Sequence, residues 1–135
     1  MDTNVLVAAL RSRRGASFEV VRLLREGHWT LVLSNTVLGE YHEILHREAG
    51  AFELSQTEID FYLDALCALA DQRALSTEWQ PAANDPDDEP LVQLAREARI
   101  VYLITHNVRH LAGVRRFGVN VMRPSEFLEL LKKSL

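Results

Sequence analysis

The chain places acidic residues at three points from which they could together bind a divalent cation. Asp2 precedes the first apolar run, and Glu40 lies five or six residues into a predicted helix that follows the second one. Asp88 belongs to the segment NDPDDEP, directly before another predicted helix, whose N-terminus tolerates negative charge. Carboxylates that converge without Lys or Arg partners repel one another, so a bound dication is the usual remedy. Oxygen ligands of this kind favour Mg²⁺ or Mn²⁺.

Further polar residues follow the predicted strands, where parallel sheets bind their ligands. Some accompany Asp2 at the start of the chain, and others come directly after the runs TLVL and IVYLI. Because parallel strands end at a common edge, we expect these side chains to surround one site. They are Thr3, Asn4, Ser34, Asn35, Thr105, His106 and Asn107.

Short apolar runs alternate with amphipathic segments along the chain. Strands are predicted at 30–34, 100–105 and 119–122, the second of them buried on both faces. Helices are predicted at 18–24, from NTVLGEY to Gly50, from Ser55 to about Arg73, at 91–99, in the short segment before Gly118, and in PSEFLELLKKSL. This alternation predicts a single α/β domain over residues 1–135 with a mainly parallel sheet.

Several residues predict where helices begin or end. Ser17 is a predicted N-cap and Gly27 a predicted stop for the same helix. Ser55 and Glu58 have the spacing of a capping box, and Pro124 suits the first turn of the last helix.

The composition is that of an ordinary globular domain, with 47% hydrophobic and 25% charged residues. The lone cysteine, Cys67, excludes an internal disulfide and a cysteine-based zinc site, and its apolar surroundings predict a packing role. No apolar run is long enough to span a membrane and no basic leader precedes Asp2, so we expect a cytoplasmic protein.

The net charge of −4 argues against a protein that coats nucleic acid, which needs a basic surface. It is compatible with a nuclease, because local basic groups could hold phosphates while acidic residues hold cations. The groups in question are RSRR, with Arg11, Arg13 and Arg14, and VRRF, with Arg115 and Arg116. Each of them taken alone is typical of a solvated surface.

The segment HEILH matches H-E-x-x-H through His42, Glu43 and His46, which on a helix is the pattern of a zinc protease. That interpretation leaves Glu40 and the other ordered acidic motifs unexplained. A five-residue match of this looseness also occurs by chance, so we expect the two histidines to lie on a partly exposed helix face.

Taken in order, the segments DTNVLVAAL, SNTVLGEYHEIL, DPDDEPLVQLA and LITHNVRHL, with the final strand and PSEFLELL, resemble the motifs of PIN-domain ribonucleases. The resemblance covers nearly the whole chain and is greatest to the group that contains toxins of bacterial toxin–antitoxin pairs. It implies a three-layer α/β/α domain with a central, mainly parallel sheet. It also implies hydrolysis of RNA with Mg²⁺ or Mn²⁺ bound by Asp2, Glu40 and Asp88, with Asp85 as a second candidate from the same loop.

The same resemblance implies roles for other residues and for partners. Family members commonly form homodimers, for which the apolar helix faces near Tyr41 and Phe61 are candidates, and a toxin has an antitoxin that covers its acidic cleft. Thr3, Asn4, Ser34 and Thr105 are expected to support the carboxylates, and Arg109, Arg11, Arg13 and Arg14 to hold the RNA backbone.

The chain departs from the family pattern at two places. Relatives usually carry a further Asp after the last site strand, or an acid three residues later, whereas here the residues are Asn107 and His110. Asn107 can ligate through its amide oxygen but brings no charge, so a second metal is expected to bind more weakly. Relatives also have several apolar residues before the first Asp, where this sequence has Met1. A degenerate domain that binds RNA or a protein without cleaving is therefore the alternative.

Overall fold

A computed structural model describes residues 1–77, 83 and 85–135 of the chain. Its helices are α1 Thr3–Arg11, α2 Ala16–Arg25, α3 Asn35–Arg47, α4 Gln56–Leu69, α5 Glu89–Glu97, α6 Val108–Leu111 and α7 Pro124–Lys132. Its strands are β1 Val32–Leu33, β2 Asp71–Gln72, β3 Tyr102–Ile104 and β4 Asn120–Met122. Short 3₁₀ helices span Ala49–Phe52, Pro86–Asp88 and Ala112–Phe117. The predicted α/β class and the alternation of strands and helices are confirmed.

The strands form two parallel pairs. β1 pairs with β2 in the register Val32 to Asp71, and β3 pairs with β4 in the register Leu103 to Val121. The parallel character of the sheet is therefore as predicted. The described strands do not join into one central sheet, because a cleft of about 530 Å³ separates β1 from β3. Met1, Val32, Tyr102, Ile104 and Phe127 are among the residues that line this cleft.

The two strands that border the cleft are shorter than predicted. The predicted strand 30–34 is reduced to Val32–Leu33, and the predicted strand 100–105 to Tyr102–Ile104. The prediction that the strand at 100–105 is buried on both faces was wrong at the beginning of that range. Val101 is 58% exposed and Tyr102 is 38% exposed. Both residues line the cleft, which lies along the edge of β3 that does not pair with β4.

Two predicted helix ends were wrong. α4 ends at Leu69 instead of Arg73, because Ala70 adopts an extended conformation and Asp71–Gln72 pair with β1. α3 ends at Arg47 instead of Gly50, and the chain continues as the 3₁₀ helix Ala49–Phe52.

The helix caps agree with the sequence at several points. Ser55 and Glu58 form the predicted capping box, and α7 begins at Pro124. Gly27 and Gly118 follow helix ends with φ of 86° and 82°, a conformation that glycine adopts without strain. Ser17 is not the N-cap of α2, since Gly15 holds that position and the Ser17 hydroxyl is hydrogen-bonded to His106.

The core lies where α1, α3 and α4 meet the strands. α1 contributes Val5 and Leu6, which are completely buried, and α3 contributes Tyr41 and Leu45. The apolar residues of each helix lie on one face, which packs into the core. The polar residues at the start of α1 lie at the edge of that core. Cys67 lies in α4 and is partly buried. Among the described residues, no helix combines the length and apolar character that crossing a membrane requires.

Candidate metal centre

Asp2 lies at the junction of β3 and α1. It is the N-cap residue of α1, and its backbone N–H donates to the carbonyl of Ile104 at 2.8 Å. Its carboxylate accepts a hydrogen bond of 2.7 Å from the hydroxyl of Thr105, a completely buried residue at the end of β3. The carboxylate is therefore oriented by the residue that directly follows β3.

Glu40 reaches the same region from α3. Its Oε2 accepts a hydrogen bond of 3.0 Å from the hydroxyl of Thr3, the first residue of α1. Ser34 supports this arrangement indirectly, because its side chain caps α3 by accepting from the backbone N–H of Val37 at 3.2 Å. Thr105, directly after β3, and Thr3, in α1, thus each donate a hydrogen bond to one carboxylate.

Asp88 is the last residue of the 3₁₀ helix Pro86–Asp88 and directly precedes α5. Its side chain makes no capping hydrogen bond, although it occupies the N-cap position of α5. The Asp85 carboxylate, by contrast, accepts the backbone N–H of Asp87 at 3.0 Å and is exposed. Asp85 and Asp88 were both predicted as ligands from this loop. Of the two, Asp88 is the one whose carboxylate makes no capping hydrogen bond.

Electrostatic interactions show that the three carboxylates share one region. Burial raises the pKa of Glu40, the hydrogen bond from Thr3 opposes that rise, and the negative charges of Asp2 and Asp88 add to it. Burial likewise raises the pKa of Asp88, and the charge of Asp2 is the next largest cause, followed by Asp85. Glu40 is therefore less stable as an anion because Asp2 and Asp88 are present, and Asp88 because Asp2 is present.

Positive charge near these carboxylates is sparse. Within the part of the chain that the structure describes, none of the three forms an ion pair with Lys or Arg. His110 acts against the raised pKa of Asp88, which places this imidazole close to the site. Partly buried carboxylates without Lys or Arg partners form a donor set suited to a hard divalent cation.

The loop after β3 carries the uncharged fourth position. Asn107 is exposed, and its backbone N–H donates to the Thr105 hydroxyl at 2.9 Å. Asn4 supports the loop by accepting the backbone N–H of His106 at 3.2 Å. The His106 ring lies 2.9 Å from the Ser17 hydroxyl, a contact that sequence reasoning missed because its partners lie far apart in the chain.

The arginines predicted to bind RNA differ in their surroundings. Arg11 donates to the Glu48 carboxylate at 2.8 Å and so has an acidic partner already. Arg13, Arg14 and Arg109 are exposed, and Arg109 lies in α6, directly after the loop that contains Asn107.

The histidines of HEILH lie away from the carboxylates. Residues 42 and 46 are separated from Glu40 by about 200° and 240° around α3, at roughly 100° per residue. His46 contacts Asp60 on α4, and the side chain of His42 is 62% exposed. The prediction of a partly exposed helix face is confirmed. At the proposed homodimer surface, Tyr41 proves to be a core residue, whereas Phe61 is 69% exposed.

Comparison with known proteins identifies one family. A family model described as the PIN domain matches residues 1–109 of the chain. The matched range contains all three carboxylates and the Asn107 position. No curated protein and no solved structure matches the chain significantly.

Proposed function

This chain belongs to the PIN domain family, whose members are generally nucleases, and on that premise we propose that it is an endoribonuclease dependent on Mg²⁺ or Mn²⁺. The observation that carries the proposal is the electrostatic coupling of Asp2, Glu40 and Asp88 in a region poor in positive charge. Family members typically use divalent metals, and this donor set fits one.

In this proposal Asp2, Glu40 and Asp88 hold the cation, and the amide oxygen of Asn107 offers a neutral fourth ligand. A divalent cation bound by these residues would supply an activated water for attack on phosphorus and would stabilise negative charge on the departing oxygen. Thr105 and Thr3 hold two of the carboxylates in position by donating to them at 2.7 and 3.0 Å. If Asp88→Asn leaves cleavage unchanged, Asp85 is the proposed ligand from this loop.

Exposed arginines complete the proposed substrate site. Arg109 follows the Asn107 loop and in this proposal contacts an RNA phosphate, while Arg13 and Arg14 offer further contacts from the loop between α1 and α2. Arg11 contributes less, because Glu48 already neutralises it.

Cleavage of a mixed RNA pool tests this function. Wild-type protein is expected to cut RNA with Mn²⁺ or Mg²⁺ and to stop in the presence of a chelator. Asp2→Asn, Glu40→Gln and Asp88→Asn are each expected to lower the rate at least a hundredfold, the scale of removing a group that stabilises developing charge. Glu43→Gln is the matched control, since Glu43 is an exposed carboxylate of the same helix as Glu40. Equal rates in all variants contradict the assignment.

The uncharged Asn107 favours a second candidate, a PIN domain that binds RNA without cutting it. A site with one charge fewer holds a second cation less firmly. Cation binding and RNA binding without cleavage identify this function, whereas cation-dependent cleavage excludes it.

The resemblance of the motifs supports a toxin role, with an antitoxin that covers the carboxylates and a homodimer as the assembled form. Exposed Phe61 on α4 offers an apolar contact for the dimer. Sedimentation of wild-type protein and Phe61→Ser tests this part: a dimer that dissociates in the variant supports it, and a wild-type monomer contradicts it.

A further inference from the structure

We propose that His42, His46 and Asp60 bind a transition-metal dication such as Zn²⁺ at a surface site separate from the three carboxylates. The histidines lie one turn apart on α3, and Asp60 faces them from α4. One ligand atom from each residue lies within 4.8 Å of those of the other two. Imidazole nitrogens with a carboxylate suit Zn²⁺, Co²⁺ or Ni²⁺ better than Mg²⁺.

The spacing of the donor atoms is close to that of a zinc site. Nε2 of His46 lies 2.7 Å from Oδ1 of Asp60, and Nε2 of His42 lies 3.7 Å from the same oxygen. Ligands about 2.0 to 2.2 Å from a tetrahedral zinc ion lie about 3.3 Å from one another. The two observed separations bracket that value, so small rotations of exposed side chains bring the donors to a common ion.

Gln56 determines which nitrogen of His46 faces this site. The Gln56 amide nitrogen donates to the backbone carbonyl of His46 at 3.3 Å, which leaves the amide oxygen as the partner of ring Nδ1. Nδ1 must therefore carry a hydrogen and donate it to Gln56. Nε2 is left to face Asp60, and a metal takes the place of the proton between them. Ligating histidines are commonly oriented by such a bond to their outer nitrogen.

The site leaves coordination positions open to water, and an ion bound there would connect two helices. Both His42 and Asp60 have more than half of their side chains exposed, at 62% and 56%, so water can complete the coordination. The ion joins α3 to α4, and α3 carries Glu40. Binding therefore stabilises the folded chain, because the unfolded chain does not hold these three ligands together.

Zn²⁺ binding followed by calorimetry and thermal unfolding of the full chain tests the proposal. Wild-type protein is expected to bind Zn²⁺ and to unfold at a higher temperature with it. His42→Ala and Asp60→Asn are expected to weaken binding at least tenfold and to abolish the rise in Tm, and Gln56→Ala to weaken binding about tenfold or more. His42→Ala should fold normally, since this side chain is mostly exposed.

Two controls keep the result specific to this cluster. His28 lies 3.7 Å from the Glu26 carboxylate without a second histidine, so His28→Ala should bind Zn²⁺ as wild type does. The titrations are repeated in an Asp88→Asn background, which removes the three-carboxylate site, because carboxylates also bind Zn²⁺. Zn²⁺ affinity in the Asp88→Asn background that is unchanged by His42→Ala, or absent altogether, overturns the proposal.

Discussion

The Thr105 hydroxyl donates a hydrogen bond of 2.7 Å to Oδ2 of Asp2 and thereby connects the end of β3 to the carboxylate at the start of α1. The Thr105 hydroxyl oxygen also accepts the backbone N–H of Asn107 at 2.9 Å. A single buried hydroxyl thus orients one proposed metal ligand and the loop that carries the uncharged fourth position.

Thr105→Val should weaken Mn²⁺ binding about 10- to 100-fold, the scale of losing a bond that orients a metal ligand. Valine keeps the shape of threonine, but Asp2 and the Asn107 N–H both lose a partner. Calorimetric titration with Mn²⁺ measures the effect. Thr57→Val, at an exposed position of α4, is the control. Unchanged affinity in Thr105→Val would mean that the hydroxyl does not position a ligand.

Asp88→Asn should make the metal-free protein more stable than wild type at neutral pH. The pKa of Asp88 is raised in the folded chain above the ordinary value of 3.8, chiefly by burial, so the folded state binds the proton more tightly than the unfolded state. The free energy of unfolding of the wild type therefore falls as the pH rises from 3.8 through the raised pKa of Asp88. The Asn variant has no carboxyl group at this position, so it does not lose this stability. Urea unfolding in chelator across the pH range measures the difference.

The exposed Asp64 on α4 provides a matched control for that experiment. Asp64→Asn should leave the dependence of unfolding on pH as it is in wild type. If Asp88→Asn follows the wild-type curve at every pH, the Asp88 carboxylate does not experience the burial and repulsion described above.

Tyr41→Phe should lower the free energy of unfolding by about 1 to 3 kcal/mol, the cost of leaving a buried polar group without its partner. Tyr41 is completely buried, and its hydroxyl donates to the backbone carbonyl of Met1, next to Asp2. Urea unfolding is the measurement. Tyr102→Phe, at a residue 38% exposed, should change stability little. An effect of equal size in both variants would show that the Met1 contact contributes nothing.

An engineered extension of four β-branched residues before Met1, with side chains alternating between the two faces of a strand, should stabilise the domain. The expected gain in the free energy of unfolding is about 2 kcal/mol or more, which corresponds to burying one or two such side chains. The carbonyls of Leu31 and Leu33 bond to β2, and that of Val101 bonds to β4. Because backbone groups alternate in direction along a strand, those of Val32 and Tyr102 point towards the cleft. Asp2 already bonds to Ile104 there, so the extension continues an existing ladder.

Thermal unfolding compares this extension with one of Gly and Ser. Added apolar residues should raise Tm, whereas the Gly-Ser sequence should leave it unchanged because it has no side chains to bury. Equal Tm values for the two extended proteins would show that the cleft does not accept a strand.

Much of the fold could be predicted from local chemistry. The capping box at Ser55, the glycines after helix ends and the apolar run before Thr105 all have short-range signals. β2 was missed because Asp71 and Gln72 have low strand propensity and pair only through the tertiary contact with β1. The position at which α4 ends depends on the pairing of Asp71 with Val32, almost forty residues earlier in the chain. The helical periodicity of the sequence does not show this contact.

The candidate site could be predicted as a set of carboxylates but not as a set of contacts. Strand ends and helix starts indicated Asp2, Glu40 and Asp88, because parallel topology brings such positions to one edge. The sequence favoured Asp88 but kept Asp85 as a second candidate, since the sequence does not show which carboxylate caps its own turn. The bond between Ser17 and His106 has no local signal, and the prediction that Ser17 caps α2 was wrong for that reason.

The most direct test of the central claim is Mn²⁺ titration of protein carrying His42→Ala, with and without Asp88→Asn. The His42→Ala background removes the proposed surface site, so the remaining binding reports on the carboxylates. Binding is expected in that background, weakening at least tenfold with Asp88→Asn and as the pH falls and the carboxylates are protonated. Mn²⁺ affinity that is the same with Asp88 or Asn at this position would contradict a metal centre formed by Asp2, Glu40 and Asp88.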